Sequence, residues 1–591
     1  MISGGLTPDY GGRYGGSTVS PAKTRVKRFS FGRYEVDVPA GELRKNGLRI
    51  QVQGKSFEVL VSLLENPHEL VTRQDLRQRL WPDGVSVDFD NSLNSAVNRL
   101  RDAIGDGSHN SRYIETLHHR GYRFIAPVEQ VLIVPPRLAV LPFENLSHSP
   151  EQDFYGDAMA DALTTELGNV STLRVISRQS VLHLKGTRKT LPEIACDLNA
   201  DLVVEGCVFL DGDSIRITAQ LVQTMPEQHL WSKAYSCRMG DILTMEGQIA
   251  RDIAEAAQVT LSTAEVGRLS RQRPVDLEAH VAYLKARHYL GQYSHDGFHK
   301  GLQYLHLALE KDPTHGPAYA HMALCYSLLG FWGHLPGPEA YPRAKKAALK
   351  AIALDDALSV AHWVLGWVNW LHDWDLATCE AETLRAIELN PSDEGAHVNY
   401  AAFLAIVAGD RTKAAAEAKL ALDLDPLSLN INTDVAWIHL FIEEYECARQ
   451  QARTTLDLFP DALQAWYVLG WSELMHSRLD SAIQAFEKAA AISSDALSIG
   501  YLGHALARAG HLEAATTLLD ELLARLEREY VPAKSLICLY SGLGDRQRVI
   551  DWLEKARQDR DPQLFFMGAV RIFGPLSELI QTWTRERLPH L

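Results

Sequence analysis

Five side chains within residues 94–101, Asn94, Ser95, Asn98, Arg99 and Arg101, could read a DNA duplex. Amide and guanidinium groups carry paired donors and acceptors that match base edges in the major groove, and a helix is the element that fits there. A 3.6-residue period puts Leu93, Ala96, Val97, Leu100 and Ile104 on one face of a helix from Asn91 to Ile104. Ser95, Asn98, Arg99 and Asp102 then fall opposite, with Asn94 and Arg101 on the flanks. The stretch Tyr113 to Phe124 reads as a hairpin, and it carries the run His118, His119, Arg120. The same face also suits an ordinary solvated helix, so its surroundings decide.

Catalytic alternatives fail on spacing. Gly54-Lys55-Ser56 ends like a phosphate loop, but Arg49 stands where its leading glycine belongs; His68-Glu69 has Thr72 where a zinc-protease motif needs a second histidine. Seven cysteines form no CxxC pair and no His-flanked metal spacing, which leaves no metal, cofactor or enzymatic expectation. With 46% hydrophobic and 23% charged residues the 591-residue chain reads as a soluble, multidomain, cytoplasmic protein. No apolar run reaches the roughly 18 to 20 residues that span a bilayer, so no membrane partner is expected.

Charge is uneven. Residues 23–127 hold 17 basic and 13 acidic side chains, a balance of +4, and the rest of the chain carries the −19 that brings the total to −15. Residues 1–28, rich in Gly and Ser, read as a disordered tail. Phe29 to Val52 alternates as short antiparallel strands with turns at Gly41 and Asn46-Gly47. A helix through Phe57 and Leu64 stops at Asn66-Pro67, and another opens at Thr72 with Asp75 as its cap partner and ends at Trp81-Pro82.

Three helices and a hairpin make a winged helix-turn-helix, and residues 29–127 resemble the OmpR/PhoB-type DNA-binding domain. "LVTRQDLRQRLWPDG", "NSLNSAVNRLRDAIGDG" and "RYIETLHHRGYRF" follow in that family's order and spacing. The resemblance implies that the Asn91–Ile104 helix enters the major groove and the hairpin tip the adjacent minor groove. By position it places base reading on Ser95, Asn98 and Arg99 and phosphate contact on Arg101 and Thr116. It puts His118 and Arg120 at the wing tip and backbone contacts at Thr72 and Trp81. The reading face is sparse in basic residues, and His118-His119 replaces the more usual Arg and Gly pair. Only 28 residues precede the sheet, too few for a receiver domain, so a signal is expected from the C-terminal side.

Residues 137–270 alternate strand and helix, which argues for an α/β layer. "RLAVLPF" and "LRVISR" read as strands, 157–167 and 191–198 as helices, and 200–223 as a strand and hairpin turning at Asp211-Gly212-Asp213. One long helix is expected from Asp241 to Arg268, and Asp157, Asp161 and Glu166 are expected on a solvated face. "LAVLPFENLS" and "ADLVVEG" resemble the TolB-like N-terminal module.

From residue 277 to the end at 591 the chain repeats. Pro391, Pro426 and Pro460 close "AIELNP", "ALDLDP" and "TLDLFP" at steps of 35 and 34 residues, the tetratricopeptide (TPR) period, giving about seven or eight repeats. Trp466, Leu469, Gly470, Ala482, Phe486 and Ala489 fall on that family's packing positions, and Ala414 and Ala448 are the small residues of neighbouring copies. Trp363, Trp367, Trp370 and Trp374 are expected in the core.

The expected architecture is a multidomain α+β chain: winged helix-turn-helix, α/β TolB-like domain, all-α TPR solenoid. The expected function is sequence-specific DNA-binding transcriptional regulation without enzymatic activity. Its partners would be double-stranded promoter DNA, RNA polymerase, further copies of the chain on DNA, and a protein or peptide on the concave TPR face. The alternative is a TPR interaction scaffold with a degenerate DNA-binding head.

Overall fold

The structure, a computed structural model, describes residues 26–38, 41–45, 48–52, 54–80, 89–107, 111–118, 120–133, 135–147, 154–212, 214–259, 261–269, 276–291, 295–569, 571 and 576–588. The chain divides into two compact units, Met1–Pro135 and Pro136–Leu591.

In the first unit, alternating apolar residues build β1 (Val26–Phe31), β2 (Tyr34–Asp37), β3 (Glu42–Lys45) and β4 (Leu48–Ile50). Phe29, Phe31, Tyr34, Val36 and Leu43 point inward and are buried. α1 (Lys55–Glu65) stops before Asn66-Pro67, as a residue ahead of proline leaves the helical region. The short β5 (Leu70–Thr72) leads into α2 (Arg73–Leu80) and then α3 (Phe89–Ile104). β6 (Ile114–Leu117) and β7 (Gly121–Phe124) form the hairpin, and β5 pairs with β7 to complete a three-stranded sheet. The N-terminal sheet is wider than expected. Residues 129–133, which lie between the two expected domains, form β8 and pair antiparallel with β1, giving the order β4-β3-β2-β1-β8. Val131 and Ile133 are both apolar, but one short run beside Pro135-Pro136 carries too little pattern to reveal a strand.

The second unit opens with a mixed sheet, β11-β9-β12-β13-β14, with β10 paired to β12. Its strands are β9 (Arg137–Val140), β10 (Glu144–Asn145), β11 (Arg174–Val175), β12 (Leu202–Asp211), β13 (Ser214–Thr224) and β14 (Glu227–Arg238). Its helices are α4 (Phe154–Gly168), α5 (Arg178–His183), α6 (Leu191–Leu198), α7 (Ile242–Ala256) and α8 (Thr263–Leu269). Three expectations change here. The strand read over "LRVISR" is two residues long, because Ser177 caps α5, its hydroxyl accepting from Gln179 N. The single helix from Asp241 breaks at Gln258, whose φ of 57° ends α7. β14 went unread because its outward positions are mostly polar and only Tyr235 is fully buried.

Helix pairs follow. They are α9 (Leu277–Leu290) with α10 (His295–Lys311), α11 (Gly316–Phe331) with α12 (Gly337–Leu354), α13 (Ser359–Val368) with α14 (Leu376–Leu389), and α15 (Glu394–Phe403) with α16 (Arg411–Leu424). Next come α17 (Leu429–Phe441) with α18 (Tyr445–Leu458), α19 (Leu463–Met475) with α20 (Leu479–Ile492), α21 (Ala496–Arg508) with α22 (Leu512–Arg525), and α23 (Ala533–Leu543) with α24 (Arg546–Gln558). α25 (Leu564–Ala569) and α26 (Ser577–Arg587) end the described chain. Asp375, Asp393, Asp410, Asp495 and Asp545 each cap a helix by accepting a backbone N–H.

The 34–35-residue step has a bond of its own. Asn432 Nδ2 and Trp466 Nε1 donate to the carbonyls of Pro426 and Pro460, six residues earlier, at 2.8 and 2.9 Å. His362 Nε2 and His397 Nε2 occupy the same place against Asp356 and Pro391, each at 3.0 Å. Each donor ties the first helix of a pair to the turn before it. Ala414, Ala448, Ala482, Phe486 and Ala489 are all fully buried, which makes this a tetratricopeptide array.

Sheet and repeats share one body. Ser177 N donates to Leu424 O at 2.8 Å, Val175 N to Ser392 Oγ at 3.1 Å, and Ser180 Oγ to Asp425 Oδ1 at 2.6 Å. Asp161, expected on a solvated face, is 2% exposed and meets Arg178 at 3.6 Å and Arg287 of α9 at 2.6 Å. A buried carboxylate needs such partners, and here they join α4 to the first repeat.

Candidate nucleic-acid interface

α3 is the longest helix of the first unit, and its apolar stripe seats it: Leu93, Ala96, Val97, Leu100 and Ile104 are buried. That orientation leaves Ser95, Asn98 and Arg99 exposed side by side on the outer face. Among the described residues none of the three holds a side-chain hydrogen bond or ion pair with another protein group.

The flanking residues behave differently. Arg101 is 7% exposed, and its guanidinium donates to Ile114 O and Thr116 Oγ1, both at 2.8 Å. The expected phosphate contact at Arg101 is therefore withdrawn: its Nη2 is committed to β6, and it acts as a strut between α3 and the wing. Thr116 remains exposed and accepts that bond. Asn94 is half-buried and accepts from Arg73 Nη2 at 2.8 Å and from Tyr122 OH at 2.9 Å. Arg73 also reaches Asp90 at 2.5 Å and lies over the Tyr122 ring at 5.8 Å. Burial pushes the Tyr122 hydroxyl above its usual pKa, so it stays a donor. One arginine thus locks α2, α3 and β7 in a fixed relation, with Asn94 at the joint.

Thr72 and Asp75 cap α2 reciprocally. Asp75 Oδ2 accepts from Thr72 N and Oγ1 at 2.9 and 2.6 Å, and Thr72 Oγ1 accepts from Asp75 N at 3.1 Å. Trp81 and His119 lie outside the described residues. At the wing, Arg120 N donates to Leu117 O at 2.9 Å and closes the turn, leaving His118 and Arg120 exposed at its tip.

Sequence reading missed two supports. Asp106, 6% exposed, accepts from the backbone N–H groups of Arg112, Tyr113 and Ile114 at 2.6, 3.3 and 2.9 Å and so fixes where the wing begins. The available signal was an acidic residue between Gly105 and Gly107, where a helix end and a turn meet. Gly121, with φ +155°, packs so close to β5 that a Cβ would sit 2.1 Å from Val71 O.

Elsewhere, His439, Glu444 and Cys447 bring possible ligand atoms within 4.8 Å of one another, a grouping that cysteine spacing alone did not suggest. Among the described residues no helix is long and apolar enough to cross a membrane.

A family model described as "Transcriptional regulatory protein, C terminal" matches residues 47–124. A putative adenylate cyclase 3 of Rhizobium meliloti is 31% identical over 245 residues, which cover 41% of this chain and 42% of that protein. The transcriptional regulator HilA of Salmonella typhimurium is 24% identical over 372 residues, 60% of this chain and 63% of its own length. That match is longer than the winged unit, so the likeness continues into the second. Less than two thirds of either relative is covered. Among solved structures, the response regulator DrrB, a Thermotoga maritima OmpR/PhoB homolog, is 34% identical over 17% of this chain and 44% of its own, with a TM-score of 0.15. The matched segment, 47–124, contains α1, α2, α3 and the wing, and the N-terminal unit of this chain is an OmpR/PhoB-type DNA-binding domain of transcriptional regulatory proteins.

Proposed function

We propose that the chain is a sequence-specific transcriptional regulator in which α3 lies in the major groove of promoter DNA. Ser95, Asn98 and Arg99 read base edges, and His118 and Arg120 reach the neighbouring backbone or minor groove. Thr72 and Thr116 then lie near phosphates, and Asn94 and Arg101 hold the helix and wing at their working angle. The observation that carries this reading is the outer face of α3, exposed and unpaired while every flanking polar group is tied down. Rigid presentation of a reading helix lowers the ordering loss on binding.

Side-by-side copies on repeated half-sites, and a contact with RNA polymerase, belong to the same reading. The second unit receives the signal, as a small molecule or as a protein on the repeats. Genome-wide occupancy of the full chain tests the proposal. Discrete peaks that disappear with Arg99→Ala are expected, whereas uniform background would favour the interaction scaffold, a reading that the modest +4 balance of residues 23–127 keeps in view.

A further inference from the structure

The surface of the repeats that carries Phe331, Trp367 and Phe441 is partly covered. Phe566 of α25 inserts there, its ring 5.5 Å from Phe331, 6.0 Å from Trp367 and 5.6 Å from Phe441. Gln563 Nε2 donates to Phe331 O, and Arg560 donates to His372 O, so the end of the array closes on its second and third repeats. What remains is a cavity of about 240 Å³. Sites for drug-sized ligands run from about 300 to 1,000 Å³, so this one selects something smaller.

Two chemistries dominate the wall. Trp363, Trp367, Trp437, Phe331, Phe441 and Phe566 supply aromatic faces. The charged lining is Glu394, Asp425 and Asp434 against the single Lys534, an excess of carboxylate. Asp425 and Glu394 are partnered by Ser180 and Ser177 of the α/β layer. Asp434 has no hydrogen bond or ion pair with a described residue. Asp434 is part-exposed within this cavity, and the apolar wall beside it disfavours its charged form, so desolvation pushes it up to about 7. Two polar groups of lining residues are buried without a hydrogen-bond partner: Ser327 Oγ, on a residue 1% exposed, and Trp363 Nε1. The wall already holds one ammonium on aromatic rings, as Lys534 Nζ sits 5.5 Å from the Trp437 centroid and 5.8 Å from Tyr501.

We propose that this cavity binds a small organic cation, an ammonium paired with Asp434 and stacked on the indole and phenyl faces around it. A cation over an aromatic face is attracted by the ring quadrupole, and the Asp434 carboxylate, without a hydrogen bond or ion pair to a described residue, supplies the opposite charge. The cavity also touches Gln179 of α5, whose Oε1 accepts from Ser428 Oγ, so an occupant meets the joint between sheet and repeats. This deepens the reading of the second unit as signal receiver and rests on that reading for its biological sense.

The test titrates the full chain with choline, n-butylamine, the neutral isostere 3,3-dimethyl-1-butanol, butyrate, sodium chloride and the tripeptide Gly-Lys-Gly. Tryptophan emission and calorimetry are the readouts. At least one free ammonium should saturate the signal, with the neutral isostere, butyrate and salt inactive. Asp434→Asn should weaken that binding at least tenfold, whereas Asp457→Asn, on the exposed face of α18, should leave it unchanged. Saturation by the neutral isostere or by salt, no saturation by any ammonium, or full affinity in Asp434→Asn would overturn the proposal; saturation by Gly-Lys-Gly alone would overturn the free-ligand assignment. Loss of DNA occupancy in Arg99→Ala is scored separately, so failure of the head and failure of the cavity are told apart.

Discussion

Arg99 and Arg101 lie two positions apart on α3 and carry opposite expectations. Arg99→Ala should cost on the order of 1–3 kcal/mol of discrimination between cognate and mismatched duplex, measured by competition binding, and leave the thermal midpoint unmoved. Arg101→Ala should do the reverse: it leaves Ile114 O and Thr116 Oγ1 without their charged donor and should lower head stability by roughly 1.5–3 kcal/mol in denaturant titration. Arg120→Ala should flatten the salt dependence of binding by about one unit of slope without changing base preference. The exposed face of α3 was legible because Leu93, Ala96, Val97 and Leu100 fix its rotation. The role of Arg101 was not, since a flank position on a helical wheel does not say that a strand thirteen residues later offers a carbonyl.

Among the elements, the wing depends most on one residue. Gly121→Ala would drive a Cβ into Val71 O, so β5 and β7 must part and the wing must shift; a loss of a few kcal/mol and weakened DNA binding are expected by calorimetric unfolding and binding titration. The repeats have a parallel in Gly470, where an added Cβ would meet the Phe486 ring at 2.5 Å; Gly470→Ala should cost about 1–3 kcal/mol. Repeat helices were readable because the period returns proline to the same place, at Pro391, Pro426 and Pro460, although the donors that face those turns, His397, Asn432 and Trp466, differ in type. β8 and β14 were not, because their partners lie far along the chain or their outward faces are polar. Of the four tryptophans expected in the core, Trp370 is buried, while Trp363 and Trp367 line the cavity that the closing of the array creates, a feature no local pattern encodes.

For the whole molecule, the second unit joins an α/β layer to tetratricopeptide repeats through buried polar groups, and its cavity makes stability depend on pH. Asp434 is raised from 3.8 to about 7, so the stability of its neutral form is fully present below pH ~4 and lost as pH rises through ~7. Asp434→Asn should therefore unfold at a higher temperature than the parent at pH 8, with the difference shrinking to nothing toward pH 4, while ligand binding is lost. DNA reading by the head is tested by a selection from random duplexes with the full chain at moderate salt. One enriched motif, weakened or relaxed in Arg99→Ala, is the predicted result. No enrichment, or an identical motif at equal strength in Arg99→Ala, would contradict it.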